Sequence, residues 1–280
     1  MKISVTGASG FIGRHVLNEL ARYPLDVVCV TREGSQLAAM NLATRIVEMD
    51  ISRARSNDYN TLGCPDVLIH LAWDGLPNYY SLHHFETELL SQYRFLKGLI
   101  ESGLPALLVT GTCFEYGMQS GALSEDMLSL PSNPYGYAKH ALLRQLMFLR
   151  DQFPFKITWV RLFYMYGDGQ PITALYPQLK ASVLRRDRIF NMSGGEQLRD
   201  YLPVSQVASL IVELAKHCGD NGVVNLCSGT PISVRKLVEG WLKENSWDIE
   251  LNLGYYPYPD YEPMAFWGNR RRLDSILAAL

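Results

Sequence analysis

Tyr135 and Lys139 stand four residues apart in the segment NPYGYAK, at the start of a stretch with helical spacing. That interval places both side chains on one face of a helix. A phenol is a poor acid–base group at neutral pH unless a nearby cation lowers its pKa. Lys139 is placed to supply that charge and to hydrogen-bond a ribose, whereas the neighbouring Tyr137 has no lysine four residues on and reads as structural. Thr112, in VTGTCFEYG, follows an apolar β-branched run. A hydroxyl at the end of a parallel strand sits where such sheets bind ligands, so Thr112 can bond the carbonyl oxygen that receives a proton. Alone it reads equally well as a turn threonine.

A second constellation lies at the N-terminus. In TGASGFIG, residues 6–13, Gly7, Gly10 and Gly13 fall between a first strand and the opening of a helix. Gly7 allows a tight turn, Gly10 lets the backbone approach a pyrophosphate, and Gly13 lets helix and strand pack closely. The free amides and positive end of that helix face the phosphates. Ser9, Phe11 and Ile12 fill the rest of this cofactor turn. The next strand ends in Thr31-Arg32, where a dinucleotide site for NAD has a carboxylate for the ribose 2′-hydroxyl. The guanidinium fork of Arg32 suits a 2′-phosphate instead, which favours NADPH over NAD. The opposing reading is a surface arginine, and Glu33 directly after it counts against the phosphate. Asp50-Ile51 closes the third strand and suits an adenine amino group and ring, or a loop cap.

The elements that must position these groups are legible as alternation. Apolar runs at Ile3–Thr6, Val27–Thr31, Arg45–Met49, Val67–Leu71, Ala106–Thr110 and Lys156–Arg161 predict strands. Phe11–Tyr23, Leu82–Ser102 and Tyr135–Gln152 predict the intervening helices. Strands joined by helical crossovers form a parallel sheet covered on both faces, here an α/β, Rossmann-type doubly wound sheet. After Val204–Ala215 a seventh strand, Val223–Cys227, is expected at a sheet edge. Residues 1–164, with 203–227 returning, make the dinucleotide-binding domain. Segments 165–202 and 228–280, rich in Gly, Pro and aromatics, make a smaller discontinuous C-terminal substrate lobe. The aromatic, proline-rich 255–267 reads as lobe core or as a wall over a nucleotide base, and one of Arg270, Arg271 and Arg272 as a phosphate neighbour. His83-His84 read as a polar helix face.

Composition narrows the class. With 280 residues and 48% hydrophobic content the chain buries a large core, and a net charge of −2 gives no footprint for nucleic acid or an anionic membrane. Five scattered cysteines without CxxC or metal-ligand spacing read as free thiols in a reducing compartment. With no leader or long apolar run before or after MKISVTG, the expected location is the cytoplasm.

Taken together, these residues resemble the extended short-chain dehydrogenase/reductase family, which acts largely on nucleotide sugars. The resemblance runs through TGASGFIG, HLAW at 70–73, Thr112 before Tyr116-Gly117, Tyr135 and Lys139, RLFYMYG at 161–167, QLRDYLPV at 197–204 and NLCSG at 225–229. It implies Thr112 as carbonyl-orienting group, Tyr135 as proton donor and Lys139 as the residue lowering the Tyr135 pKa. It places Leu71, Ala72, Trp73, Thr110 and Leu162 along the cofactor, and Asp74, Tyr164 and Arg199 beside the substrate. Trp73 reads equally as core packing, and Arg199 as a loop salt bridge.

The same resemblance separates reactions. Dehydratases of the family carry Asp-Glu directly after the catalytic Thr, where this chain has Cys113-Phe114. Cys113 is one position off the cysteine of 3,5-epimerases and reads as a buried thiol. Keto reduction and 4-epimerisation need only the basic trio. Glu88 and Tyr164 stand where the family has asparagines. The expectation is NADPH-dependent reduction of a nucleotide-linked 4-keto-6-deoxyhexose, of the kind that serves bacterial surface polysaccharides, with a homodimer as partner state. A 4-epimerase holding NAD and a non-catalytic NADP-binding relative are the alternatives.

Overall fold

The computed structural model describes residues 1–32 and 45–280; Glu33 lies outside the described residues. Seven strands build the central sheet: β1 (Lys2–Thr6), β2 (Asp26–Thr31), β3 (Arg45–Glu48), β4 (Val67–His70), β5 (Ala106–Thr112), β6 (Lys156–Leu162) and β7 (Gly222–Leu226). All neighbours pair in parallel, in the order β7-β6-β5-β4-β1-β2-β3. β4 and β5 are buried at every position, the pattern of a parallel sheet covered on both faces.

Helices α1 (Phe11–Leu20), α2 (Leu89–Glu101), α3 (Pro134–Arg150), α4 (Val204–Lys216) and α5 (Arg271–Ala278) supply that cover. On one face Val16, Leu17 and Leu20 of α1 and Val207 and Ile211 of α4 pack on Ile3, Val5, Ile69 and Val160. On the other, Phe95 and Leu99 of α2 and Leu142 and Leu146 of α3 pack on Val28, Leu68, Val109 and Trp159. Burying each such side chain stabilises the fold by about 1.5–3 kcal/mol. The chain order reverses between β1 and β4, so their carboxyl ends open a crevice, the position where such sheets take ligands.

The structure departs from the sequence reading in three places. β5 runs two residues past Thr110, so Thr112 is the last strand residue, paired with Leu162. Within this extension position 111 takes only glycine, because a Cβ there would meet Trp159 Nε1 at 2.1 Å and Glu115 Oε1 at 2.4 Å. The single helix expected over Leu82–Ser102 is a π-helical turn, His84–Glu88, running into α2. That turn buries both His84 and Glu88, so His84 is not on a polar face. Finally, Leu273, Ile276 and Leu277 of α5 pack on the main core and not with the lobe. The separate small core comprises Leu179, Phe190, Met192, Leu237, Val238, Trp241 and Ile249. Among the described residues no helix is long and apolar enough to cross a membrane.

Candidate active site

The glycine turn leaves β1 with Gly7 at φ +67°. A Cβ on Gly7 would lie 2.8 Å from the Ala72 amide nitrogen, and one on Gly13 would lie 2.2 Å from the Gly7 carbonyl oxygen. These two positions therefore demand glycine, one by conformation and one by contact. Gly10 caps α1 without any side-chain hydrogen bond, so the helix presents bare amides to the crevice. A cavity of about 420 Å³ opens there, lined by Gly7, Ser9, Gly10, Thr31, Arg32, Asp50, Ile51, Leu71, Ala72, Trp73 and Asp74, among others.

Within it Ser9 Oγ lies 3.1 Å from Thr31 Oγ1. Asp50 caps the short turn Ile51–Arg53 by accepting from Ser52 N at 3.0 Å, so it serves as a loop cap while lining the cavity. Arg32 Nη1 stands 3.9 Å from the Asp74 carboxylate, both side chains largely exposed. Asp74 thus sits opposite Arg32 in the cavity lining. Phe11 and Ile12 point away from the cavity: Ile12 packs on the main core, and Phe11 meets the His15 ring edge-on. Leu162 is buried in that core. A turn of free amides beside a cleft of this size fits a dinucleotide.

The three chemical residues converge behind Trp73. Thr112, Tyr135 and Lys139 are 6%, 8% and 1% exposed. Asn133 caps α3 by accepting from Gly136 N at 2.8 Å, which starts the helix at Pro134 and sets Tyr135 and Lys139 one turn apart. Burial pushes the Tyr135 phenol well up, reinforced by Tyr79, Glu115 and Cys113, while hydrogen bonding with the Thr112 side chain pulls it down. The Lys139 ammonium lies 5.9 Å from the Tyr135 ring centroid. Lys139 Nζ donates to the Thr110 carbonyl at 2.8 Å and lies 4.0 Å from the Trp73 ring centroid. Burial lowers the Lys139 pKa to about 7, against the pull of Glu115 and Glu88.

Two supports under this set escape sequence reasoning. Glu115 is fully buried; Oε1 accepts from Thr112 N at 3.0 Å and Trp159 Nε1 at 2.9 Å, and Oε2 accepts from Arg161 Nε at 2.9 Å. It therefore fixes the backbone of Thr112. His70 of β4 accepts from Thr6 Oγ1 at 2.8 Å and donates to Gln92 Oε1 at 2.6 Å, and burial lowers its pKa to about 3.

Across the chamber, Tyr164 donates to Glu262, and its ring packs against Tyr201 and Phe266. Arg199 is 3% exposed and engaged on every side. Nη2 donates to Glu262 at 2.8 Å, Nη1 to the Leu198 and Met264 carbonyls, and the Phe266 ring lies 4.5 Å below. In this state the ion pair, not a pyrophosphate, holds Arg199. Arg270 is tied to Asp274 and the Cys227 carbonyl, and Arg272 to the Asn221 carbonyl.

The family described as NAD dependent epimerase/dehydratase matches residues 3–227. The chain belongs to this epimerase/dehydratase family. Its relatives include the dTDP-6-deoxy-L-talose 4-dehydrogenase (NAD(+)) of Aggregatibacter actinomycetemcomitans, 29% identical over 271 residues, 96% of this chain and 99% of that protein. The GDP-6-deoxy-D-talose 4-dehydrogenase of the same organism is 27% identical, over 85% of this chain and 78% of that one. Among solved structures, MoeE5 in complex with UDP-glucuronic acid and NAD superposes with a TM-score of 0.83 at 27% identity, covering 99% of this chain and 93% of that chain.

Against the epimerase/dehydratase resemblance, the expected departures have physical content. Cys113 is buried, and burial pushes its thiol up, so it stays neutral. Glu88 accepts from Asp74 N at 2.9 Å and from the Gln92 side chain, which ties the π-helical turn to the cofactor wall. Tyr79, Phe114, His84 and Trp73 ring the Tyr135 phenol, with centroids 5.2 to 6.5 Å away. Only the aromatic run WDGLPNYY hints at this enclosure in the sequence, and nothing local points to Glu115 or Glu262.

Proposed function

We propose that the protein reduces the 4-keto group of a nucleoside-diphosphate-linked 6-deoxyhexose, with NADPH as the reductant. The observation that carries the reading is the burial of Thr112, Tyr135 and Lys139 together behind Trp73, whose ring lies 4.0 Å from Lys139 Nζ and 5.9 Å from the Tyr135 ring and which lines the dinucleotide cleft. Supporting it, the two A. actinomycetemcomitans relatives are named as 4-dehydrogenases of 6-deoxytalose nucleotides. Positions 113 and 114 hold a neutral thiol and a phenyl ring, so the carboxylates that water elimination requires are missing there.

The glycine turn, the α1 amides and Ser9 bind the pyrophosphate, and Arg32 takes the 2′-phosphate, exchanging its loose contact with Asp74 for a charge-assisted bond. The bound dinucleotide supplies a hydride to the carbonyl carbon. Thr112 Oγ orients the carbonyl oxygen and Tyr135 Oη gives it a proton, so ketone becomes alcohol. Lys139 stabilises the phenolate left behind. Tyr164 and the residues 165–202 and 228–270 hold the sugar nucleotide. The exposed side chains Phe85, Leu90, Tyr137 and Phe148, on the π-helical turn, α2 and α3, support a homodimer through these elements.

Turnover of a dTDP-4-keto-6-deoxyhexose with loss of NADPH absorbance tests the reading. Tyr135→Phe should abolish it, and full activity in that variant overturns the assignment. Interconversion of C4 epimers without net dinucleotide consumption would assign 4-epimerisation, and binding without turnover a non-catalytic role.

A further inference from the structure

We propose that Trp73 is a positioning residue for Lys139: its indole face, fixed through His84 to the Asn78 carbonyl, holds the lysine ammonium charged and aimed. Among the described residues no carboxylate lies within ion-pair distance of Lys139, although the side chain is buried. A buried ammonium without a counter-ion is costly. The Thr110 carbonyl satisfies one of its three N–H donors at 2.8 Å. The Trp73 ring centroid at 4.0 Å supplies the negative face of its quadrupole, closer than the Tyr135 ring at 5.9 Å.

The indole does not hold this orientation by packing alone. Its Nε1–H donates to His84 Nδ1 at 3.1 Å, so Nδ1 is unprotonated, and His84 Nε2–H donates to the Asn78 carbonyl at 2.8 Å. Burial lowers the His84 pKa, which keeps this neutral tautomer. His84 also packs against the Tyr135 ring at 5.2 Å, so one buried histidine orients both the lysine's support and the phenol.

The charged and titratable groups facing Lys139 are Glu115 below Thr112, Glu88 from the π-helical turn, neutral His70 on β4, His84 and Tyr135. Glu115 is committed to Arg161 at 2.9 Å, and Glu88 to the Asp74 amide and Gln92. Burial has brought Lys139 down to about 7, so losing one more favourable contact changes its charge at neutral pH.

The proposal rests on Tyr135 and Lys139 being the catalytic pair, but its first test does not need catalysis. In protein labelled with 13Cε-lysine, the Lys139 resonance is assigned by loss in Lys139→Arg and titrated without dinucleotide. Trp73→Leu should lower its midpoint by about one pH unit, and Trp73→Phe by less, since a weaker ring face remains. His84→Leu should lower it too. His84→Gln, whose carboxamide oxygen accepts the indole N–H, should restore it.

In turnover with the keto sugar nucleotide, rate falls as pH rises through the Lys139 pKa. The alkaline limb of kcat should therefore move to lower pH in Trp73→Leu, with sugar KM little changed. An unchanged Lys139 midpoint in folded Trp73→Leu and Trp73→Phe overturns the proposal. So does a rise in KM with an unmoved pH profile, which makes Trp73 a wall of the sugar pocket. A shifted midpoint without any shift in the kcat profile confirms the Trp73–Lys139 contact and refutes the catalytic pair instead.

Discussion

Replacing Glu115 by Gln removes one charge from the buried carboxylate beneath Thr112 and changes almost no volume. The Arg161 side chain is 3% exposed and Glu115 is fully buried, so water cannot take over the lost interaction. Arg161 keeps Ser129 Oγ at 2.6 Å and the Tyr116 ring at 4.4 Å, but its Nη1 already has no partner. A carboxamide cannot serve all three donors. With its oxygen toward Thr112 N and Trp159 Nε1, its NH2 group meets Arg161 Nε; flipped, it meets the other two. Breaking a buried ion pair from one side costs about 3–5 kcal/mol, or roughly 5–9 °C in Tm at about 2.1 cal/mol/K of unfolding entropy per residue. Urea unfolding followed by tryptophan fluorescence and circular dichroism should show the midpoint fall with the slope m unchanged. Glu115→Gln with Arg161→Met should recover at least about 2 kcal/mol of that loss, because the carboxamide NH2 then faces a thioether and no buried cation is stranded. A loss below about 1 kcal/mol in Glu115→Gln, or a double variant no more stable than the single, would refute the claim that this pair anchors Thr112.

Three further outcomes are expected. His70 is neutral in the fold with its pKa lowered to about 3 from 6.5, so its contribution to stability is complete above pH 6.5 and lost as pH falls towards 3. Acid unfolding of the wild type should steepen in that window, to a ceiling of about 5 kcal/mol, and His70→Gln should flatten it; an identical acid limb refutes the assignment. Arg32→Ala should raise KM for NADPH about 10–100-fold and leave NADH unaffected; a wild-type preference for NADH sinks the 2′-phosphate role. Phe148→Glu places a charge in the exposed apolar face of α3 and should convert dimers to monomers by sedimentation, whereas a wild-type monomer would remove the premise.

Much of the site is visible before folding because its determinants are local. The interval between Tyr135 and Lys139 is a property of any helix, and the glycines at 7, 10 and 13 encode one turn whose close contacts are within the turn itself or with Ala72. The supports were invisible because they join residues remote in sequence. Glu115 meets Arg161 only because β5 and β6 are neighbours in register. Arg199, read beside the substrate or in a loop salt bridge, finds its carboxylate in Glu262, 63 residues on. His84 was misread for a different reason: regular 3.6-residue spacing puts it outward, and the π-helical turn carries it in.

The amino-acid sequence by itself determined the parallel sheet, the glycine turn and the spacing of Tyr135 and Lys139, since periodicity, glycine geometry and side-chain chemistry act over a few residues. Tertiary structure alone decided their electrostatics. Desolvation depends on what every other segment covers, so only the folded chain brings the Lys139 pKa down to about 7 and aims its ammonium at Thr110 and Trp73.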